Sequence, residues 1–436
     1  IVATKPPEPV RLAPAGFRGR EELDRERLGL RFGSRTVPLE QIGHSAVKRL
    51  WRQKTGTRTK SSSRRSRGRQ AATITAMRTA VVSDLHLGAL GGDDVVRDPA
   101  TRSRLLEVVD GCDRVVLLGD TLELRERPLR VALEVVRPFF EHLGPALAGR
   151  QLVIVPGNHD HALAGPWLER LRLEGVELEA KNEWPVDSGD GAAGRLAAAM
   201  PDVEMRLAYP GLWLRSDVYA IHGHYLDLHL TVPRLESIAA SAMGRVTGRG
   251  RDCHSPADYE AVLAPMYAFY DELAQGAGPK ALARGGTLSR SVWRRVTGDG
   301  RAGRLLLGRL TIPGAVAALN RLGFGPFRSE LTGVELRRAG LLAMGRVADF
   351  LGPDAEHVVF GHTHRAGPLP GDVLPEWTTL SGSRLWNCGT WFRESAFLRD
   401  GDRTNPYWPG TVLLLDDEGP PRLENALAGE QLPAPA

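Results

Sequence analysis

Thr79-Ala80-Val81-Val82-Ser83-Asp84-Leu85-His86 decides the reading of this chain. A short apolar run makes a buried strand, and the residues just past its end, Asp84 and His86, are both metal-binding types. Extended backbone puts two residues spaced by one on the same side. The pattern recurs four times. Arg114-Val115-Val116-Leu117-Leu118 runs into Gly119-Asp120, and Leu152-Val153-Ile154-Val155 leads into Gly157-Asn158-His159-Asp160. Val218-Tyr219-Ala220-Ile221 runs into His222-Gly223-His224, and His357-Val358-Val359-Phe360 into Gly361-His362-Thr363-His364.

Helical spacing over Arg102 to Asp110 and Leu129 to Leu143 separates several of these strands, which is the alternation of an α/β domain. Strands in such a domain deliver their carboxyl ends to one crevice, so five endings far apart in sequence can converge. Thr411-Val412-Leu413-Leu414-Leu415 closes the sheet region. Residues 231–350 differ in character. Tyr259 through Leu273 and Leu305 through Leu322 carry helical apolar spacing and many arginines. This stretch reads as an inserted helical cap that leaves the core after one motif, returns before another, and hangs over the mouth of the site. The expected domains are therefore a core of 77–230 with 351–420, a cap of 231–350, and a C-terminal tail of 421–436.

The chain has 57 Lys and Arg against 52 Asp and Glu, and the excess sits in one place. Ten basic residues from Lys48 to Arg69 lie in a stretch without Asp or Glu between Glu40 and Asp84. Without those ten, 47 basic residues face 52 acidic ones, so the remainder is mildly acidic. Residues 1–76, with Pro6, Pro7, Pro9 and Pro14, read as a basic, disordered extension, with a tether to nucleic acid or an acidic surface as the alternative. The chain opens at Ile1, while Met77 stands directly before the first strand, which leaves Met77 open as the natural start. Cys112, Cys253 and Cys388 are too few and too scattered for a disulfide framework or a cysteine metal site, and fit a reducing cytoplasm. No signal segment or run of about 18 apolar residues points to export or to a membrane span.

Imidazole and carboxylate together suit Mn, Fe, Zn, Co or Ni better than Ca or Mg, which prefer all-oxygen shells. A carboxylate can bridge two ions where an imidazole nitrogen cannot, so Asp120 is the natural bridge. Each motif alone reads as easily as turn chemistry or a capping carboxylate. Five in order, each at the end of a strand-like run, do not.

The order Asp-x-His, Gly-Asp, Gly-Asn-His-Asp, Gly-His and Gly-His-x-His resembles the calcineurin-like metallophosphoesterases, from about Met77 to Thr390 apart from the insertion. The resemblance implies a four-layer α/β/β/α sandwich of two mixed sheets. It implies that Asp84, His86 and His364 hold one divalent ion, that Asn158, His222 and His362 hold a second, and that Asp120 bridges, with Mn, Fe or Zn as the metals. It gives His159 the role of touching the phosphate or protonating the leaving oxygen, with Asp160 as its orienting partner. The implied reaction is in-line attack of a metal-bridging hydroxide on phosphorus. His224 is expected at the substrate or behind the second metal, and Glu123 behind a ligand histidine or as a helix cap. Asn387-Cys388-Gly389-Thr390-Trp391 is similar to a segment that packs beneath the site in relatives, with Cys388 as filler.

The ligand set does not choose a substrate. Ser83-Asp84-Leu85-His86-Leu87-Gly88, the Gly-His-Thr-His ending and the helical insertion are similar to the bacterial branch that includes UDP-2,3-diacylglucosamine pyrophosphohydrolases. Those enzymes carry Arg where this chain has His159, and the insertion here is larger. Leu305 through Val316, with Arg301, Arg304 and Arg309, offers either a lipid-facing or membrane-surface element or ordinary helix packing within the cap. The expected substrate is a small, lipid-linked or nucleotide-linked phosphoester or pyrophosphate. A nuclease is the alternative, against which the acidic folded part speaks. A protein phosphatase or a non-catalytic scaffold is further off.

Overall fold

The computed structural model describes residues 29–32, 35–38, 77–276 and 312–433, except positions 188, 190, 331, 396, 399 and 400. The chain divides into two compact units, Ile1–Thr73 and Ile74–Ala436. In the first, β1 (Gly29–Phe32) and β2 (Arg35–Pro38) pair as an antiparallel ribbon. The ribbon lies within the stretch 1–76 that the sequence reads as a basic extension. The basic stretch from Lys48 to Arg69 and the segment Arg301 to Thr311 lie outside the described residues.

The second unit is built on two sheets. In the larger, β3 (Thr79–Val82), β4 (Arg114–Leu118), β5 (Gln151–Val155) and β7 (Glu204–Ala208) lie parallel in that order. Antiparallel β6 (Glu183–Pro185) flanks β7, and β12 (Thr411–Leu415) flanks β3. β13 (Arg422–Asn425) pairs with β12, so the segment expected as a tail contributes an edge strand. In the smaller sheet, β9 (Val218–Ile221), β10 (His357–Phe360) and β11 (Arg384–Asn387) are parallel, with β8 (Gly211–Arg215) antiparallel to β9.

The alternation of side chains explains why the strands are apolar on both faces. Val81, Val116, Leu118, Val153 and Val155 meet Val218, Ala220 and Val359 between the sheets. Ala80, Val82, Val115, Leu117 and Ile154 point the other way. They pack on α1 (Pro99–Val109), α2 (Leu129–Ala146) and α4 (Gly191–Ala198). α1 is started by the Asp98 carboxylate, which accepts from Thr101 N at 2.8 Å, with Pro99 in the first turn. α3 (Gly165–Glu174) follows the β5 loop.

The outer face of the smaller sheet is covered by α6 (Pro256–Gly276) and α8 (Gly333–Leu351), with α5 (Leu235–Val246) beside them. Tyr259, Val262, Leu263, Met344 and Val347 share one buried cluster with Tyr219, Ile221, Val358 and Phe360. Among the described residues of the stretch read as a cap over 231–350, α5, α6 and α8 therefore form a helical layer on the smaller sheet. The apolar stripe from Tyr259 to Tyr267 serves the core of the fold, which is where most helical stripes go. α7 (Ile312–Arg321) is mostly exposed, with Val316 buried. The architecture is the expected α/β arrangement of two mixed sheets flanked by helices.

Candidate metal centre

The carboxyl ends of β3, β4 and β5 in one sheet and of β9 and β10 in the other open onto the same place. Asp84, His86 and His364 present ligand atoms within 4.8 Å of one another, as do His86, Asp120 and His159, and Asp120, His222 and His362. Asp84, Asp120 and His222 are at most 2% exposed. Among the described residues other than glycine, positive φ occurs at Asp84 (55°), His86 (45°), Asp120 (47°), His362 (63°) and His364 (61°). Left-handed backbone is costly for these residues and persists only where surrounding structure enforces it. Here it turns each side chain off its strand end toward its neighbours. Two motif glycines allow the crowding: a Cβ at Gly119 would overlap the His222 ring, and one at Gly157 would overlap Asp120.

Each of four imidazoles has one ring nitrogen held from outside. His86 Nδ1 lies 3.1 Å from Glu123 Oε2, and His222 Nδ1 lies 2.9 Å from the Leu118 carbonyl oxygen. His362 Nε2 lies 3.0 Å from Asp227 Oδ2, and His364 Nδ1 lies 2.8 Å from Glu394 Oε1. An acceptor on one nitrogen fixes the proton there and leaves the other as a lone pair. The lone pairs converge. His86 Nε2 and His364 Nε2 are 3.2 Å apart, His364 Nε2 is 3.2 Å from Asp84 Oδ1, and His222 Nε2 is 3.3 Å from Asp120 Oδ2.

The polar atoms left over fit cations. Asp84 Oδ1 is buried 3.2 Å from His364 Nε2, so acceptor faces acceptor when that nitrogen carries no proton. Asn158 Oδ1 faces Asp120 Oδ2 at 3.2 Å and His362 Nδ1 at 3.1 Å, both acceptors, while its amide nitrogen faces Arg125. A cation among the three acceptors satisfies that orientation; without one, a turned amide would satisfy it with hydrogen bonds. Sequence reasoning did not single out Asp227, Glu394 or Arg125. Asp227 and Glu394 act on imidazoles far away in the chain, which spacing cannot show.

The charges follow from this packing. Burial would raise Asp120, but His222 and His159 hold it well below the usual carboxylate range. Burial would likewise raise Asp84, which His364 and His222 hold down. Burial would depress His222 and His364, yet Asp120 and Asp84 lift the first to about 9, and Asp84 and Glu394 lift the second to about 10.

His159 is the more open histidine, with 24% of its side chain exposed. Its Nδ1 lies 2.8 Å from Glu123 Oε2 and its Nε2 3.4 Å from an Arg125 nitrogen. Asp160 does not orient it. Asp160 Oδ1 accepts from Gly157 N at 2.6 Å, and Oδ2 accepts from Thr121 N at 2.8 Å and Leu122 N at 3.2 Å. Asp160 thus ties the β5 loop to the β4 loop, and the orienting partner is Glu123. A carboxylate right after a motif histidine suggests a pair in sequence, but three backbone donors claim this one. Burial, with Asp120 nearby, pushes Asp160 up to about 6.

His224 is fully buried and stays neutral, because burial and then His222 push it well below the ordinary value. Its Nε2 lies 3.3 Å from Tyr209 Oη, so it faces the protein interior rather than an open substrate pocket. Below the site, Trp391 N and Thr390 Oγ1 each donate to the Asp84 carbonyl oxygen at 3.0 Å. Cys388 is fully buried, and burial pushes its thiol well up, which suits packing rather than reactivity.

Residues 77–275 match the family described as calcineurin-like phosphoesterase. No curated protein matches the chain. Among solved structures, a cold-active protein-tyrosine phosphatase of a psychrophile Shewanella is similar at 14% identity and a TM-score of 0.25, covering 78% of this chain and 76% of that one. A dimetal phosphatase from Danio rerio is similar at 12% identity and a TM-score of 0.28, covering 80% and 99%. Likenesses this weak say nothing of the reaction.

Proposed function

The chain belongs, through residues 77–275, to the calcineurin-like phosphoesterases, and on that premise we propose that it hydrolyses a phosphoester or pyrophosphate bond of a small organic phosphate with two divalent ions. The observation that carries the reading is the set of four imidazoles whose outer nitrogens are held by acceptors and whose inner nitrogens converge on Asp84 and Asp120. In this reading Asp84, His86 and His364 take one ion, Asn158, His222 and His362 the other, and Asp120 both, with Mn, Fe or Zn as the metals. Such ions lower the pKa of water and draw off charge from the phosphoryl group.

The chain's own residues do the rest. Arg125 and the Asn158 amide nitrogen, about 3 Å apart, offer donors to phosphoryl oxygens. Glu123 holds His159 by Nδ1, and when the ring carries a second proton, on Nε2, that proton can pass to the leaving oxygen. Burial of the carboxylates keeps the field strong where charge develops. A nucleophilic side chain is not needed, and among the cysteines Cys388 is too deeply buried and too hard to ionise to act as one. No helix among the described residues is long and apolar enough to cross a membrane.

The test is hydrolysis by Mn-supplemented protein of a phosphomonoester, a phosphodiester, a nucleoside diphosphate derivative and single-stranded DNA. Turnover of one of the first three, abolished by chelation, is expected. No turnover of any of them would overturn the reading, and turnover of the DNA alone would replace it with a nuclease.

A further inference from the structure

Between α3 and α6 lies a cavity of about 550 Å³ that the metal chemistry does not use. Its size falls among small-molecule sites. One wall carries His161 and Leu168, and the other carries Ala264 and Tyr267. Arg172 also lines it, against the carboxylates Glu260 and Asp271, so its lining favours a neutral group over a second anion.

The cavity adjoins the metal centre. His161 is the residue after Asp160, in the loop that carries Asn158 and His159. The Tyr267 ring lies 5.0 Å from the His161 ring and 5.8 Å from the Arg125 guanidinium carbon. Arg125 in turn lies against Asn158 and His159. The Tyr270 ring, 4.7 Å from the same guanidinium carbon, holds it from α6 as well.

The wall is built. Glu260 Oε1 accepts from Tyr209 Oη at 2.5 Å and Tyr225 Oη at 2.8 Å, and its Oε2 lies 2.9 Å from His161 Nε2. These partners occupy that carboxylate. Tyr267 Oη, in contrast, is buried with the residue only 3% exposed, and has no hydrogen-bond partner among the described residues. A buried hydroxyl left unpaired is unfavourable, and a ligand atom would relieve it.

We propose that this cavity receives the leaving group of the substrate, a neutral, nucleoside-sized alcohol with apolar faces and a hydrogen-bonding edge, and that Tyr267 reads that edge. The proposal rests on the phosphoesterase reading above. In the hydrolysis, a water oxygen forms the new bond to phosphorus and the bond from phosphorus to the alcohol oxygen breaks. The electron pair stays on that oxygen, which takes a proton and departs as the alcohol.

Ala261 and Ala268 line the cavity and are exposed on α6, so a larger side chain there fills it without repacking the core. The experiment compares the full chain with Ala261→Trp, Ala268→Trp and Tyr267→Phe. It measures kcat/KM on adenosine 5′-monophosphate, 1-naphthyl phosphate and methyl phosphate, and binding of adenosine alone by calorimetry. The Trp variants should lose roughly tenfold or more on the two bulky esters relative to methyl phosphate, mainly in KM, and should weaken adenosine binding in step. Tyr267→Phe should lose a smaller factor in the same direction. Equal losses on all three esters, or none, with adenosine binding unchanged, would overturn the proposal. Absence of turnover on every ester, with adenosine binding still lost in the Trp variants, would keep the cavity and overturn the reaction.

Discussion

His86 Nε2 and His364 Nε2 face each other at 3.2 Å, although Glu123 engages the Nδ1 of the first and Glu394 the Nδ1 of the second. With both rings neutral, two lone pairs would point at each other beside Asp84 Oδ1, itself 3.2 Å from His364 Nε2. Something positive belongs there. An ion serves, and in its absence a proton does, which accords with Asp84 and Glu394 holding His364 up to about 10 against the effect of burial.

Metal uptake should therefore release protons. His222, lifted to about 9, and His364, lifted to about 10, are protonated at pH 7.5 in the metal-free chain and must give up those protons to bind. Titration of Mn into chelator-stripped protein in two buffers of different ionisation enthalpy should give heats that differ by one or more protons per chain. Identical heats would contradict the prediction.

The same shifts set a pH window for the stripped protein. Both histidines are raised above the ordinary 6.5, so their contribution is complete below that value and is lost as pH rises through 9 and 10. Asp84 and Asp120 are lowered, so theirs is present above the ordinary 3.8 and is lost as pH falls through their folded values. The melting temperature without metal should be lower at pH 9.5 than at pH 6.5, and added Mn should remove much of the difference. A rise between those two pH values would be the wrong sign.

Asp227→Asn and Glu394→Gln leave every proposed ligand in place but loosen the tautomers of His362 and His364. Each should cost roughly 10–100-fold in metal affinity or activity. Full activity at low Mn in both variants would show that the imidazoles need no such support.

His159 and Asp160 should separate. His159→Ala should keep its metal and lose about 10²–10⁴ in kcat, less on p-nitrophenyl esters, whose leaving group needs no proton, than on alkyl esters. Asp160→Ala strips three backbone N–H groups of their acceptor and should destabilise the fold by at least about 2 kcal/mol. A melting temperature unchanged in Asp160→Ala would restore a purely catalytic role to that residue.

Much of this was legible in the sequence because strand and ligand are adjacent there. The runs ending at Val82, Leu118, Val155, Ile221 and Phe360 are strands of two sheets, and their periodicity and their ligands occupy the same few positions. What spacing could not reveal were relations between distant segments. Asp227 and Glu394 reach histidines more than a hundred and about thirty residues away, and nothing local distinguishes them from solvated carboxylates. Asp160 looked like a partner of His159 because it follows it, whereas the β4 loop had the stronger claim. The helices of 231–350 looked like a cap because an apolar stripe does not say which sheet it covers; β9 and β10 use α6 and α8 as their outer layer. Likewise, β13 is short and half-exposed, so its pairing with β12 left little trace in composition.

Metal content is the most direct test. The full chain, loaded with Mn and freed of excess ion, should hold two ions per polypeptide, and Asp120→Ala should hold fewer than one and lose more than about 100-fold in phosphoester hydrolysis. A wild-type chain that holds less than one ion at saturating Mn, or an Asp120→Ala chain that keeps both ions and full activity, would contradict the account.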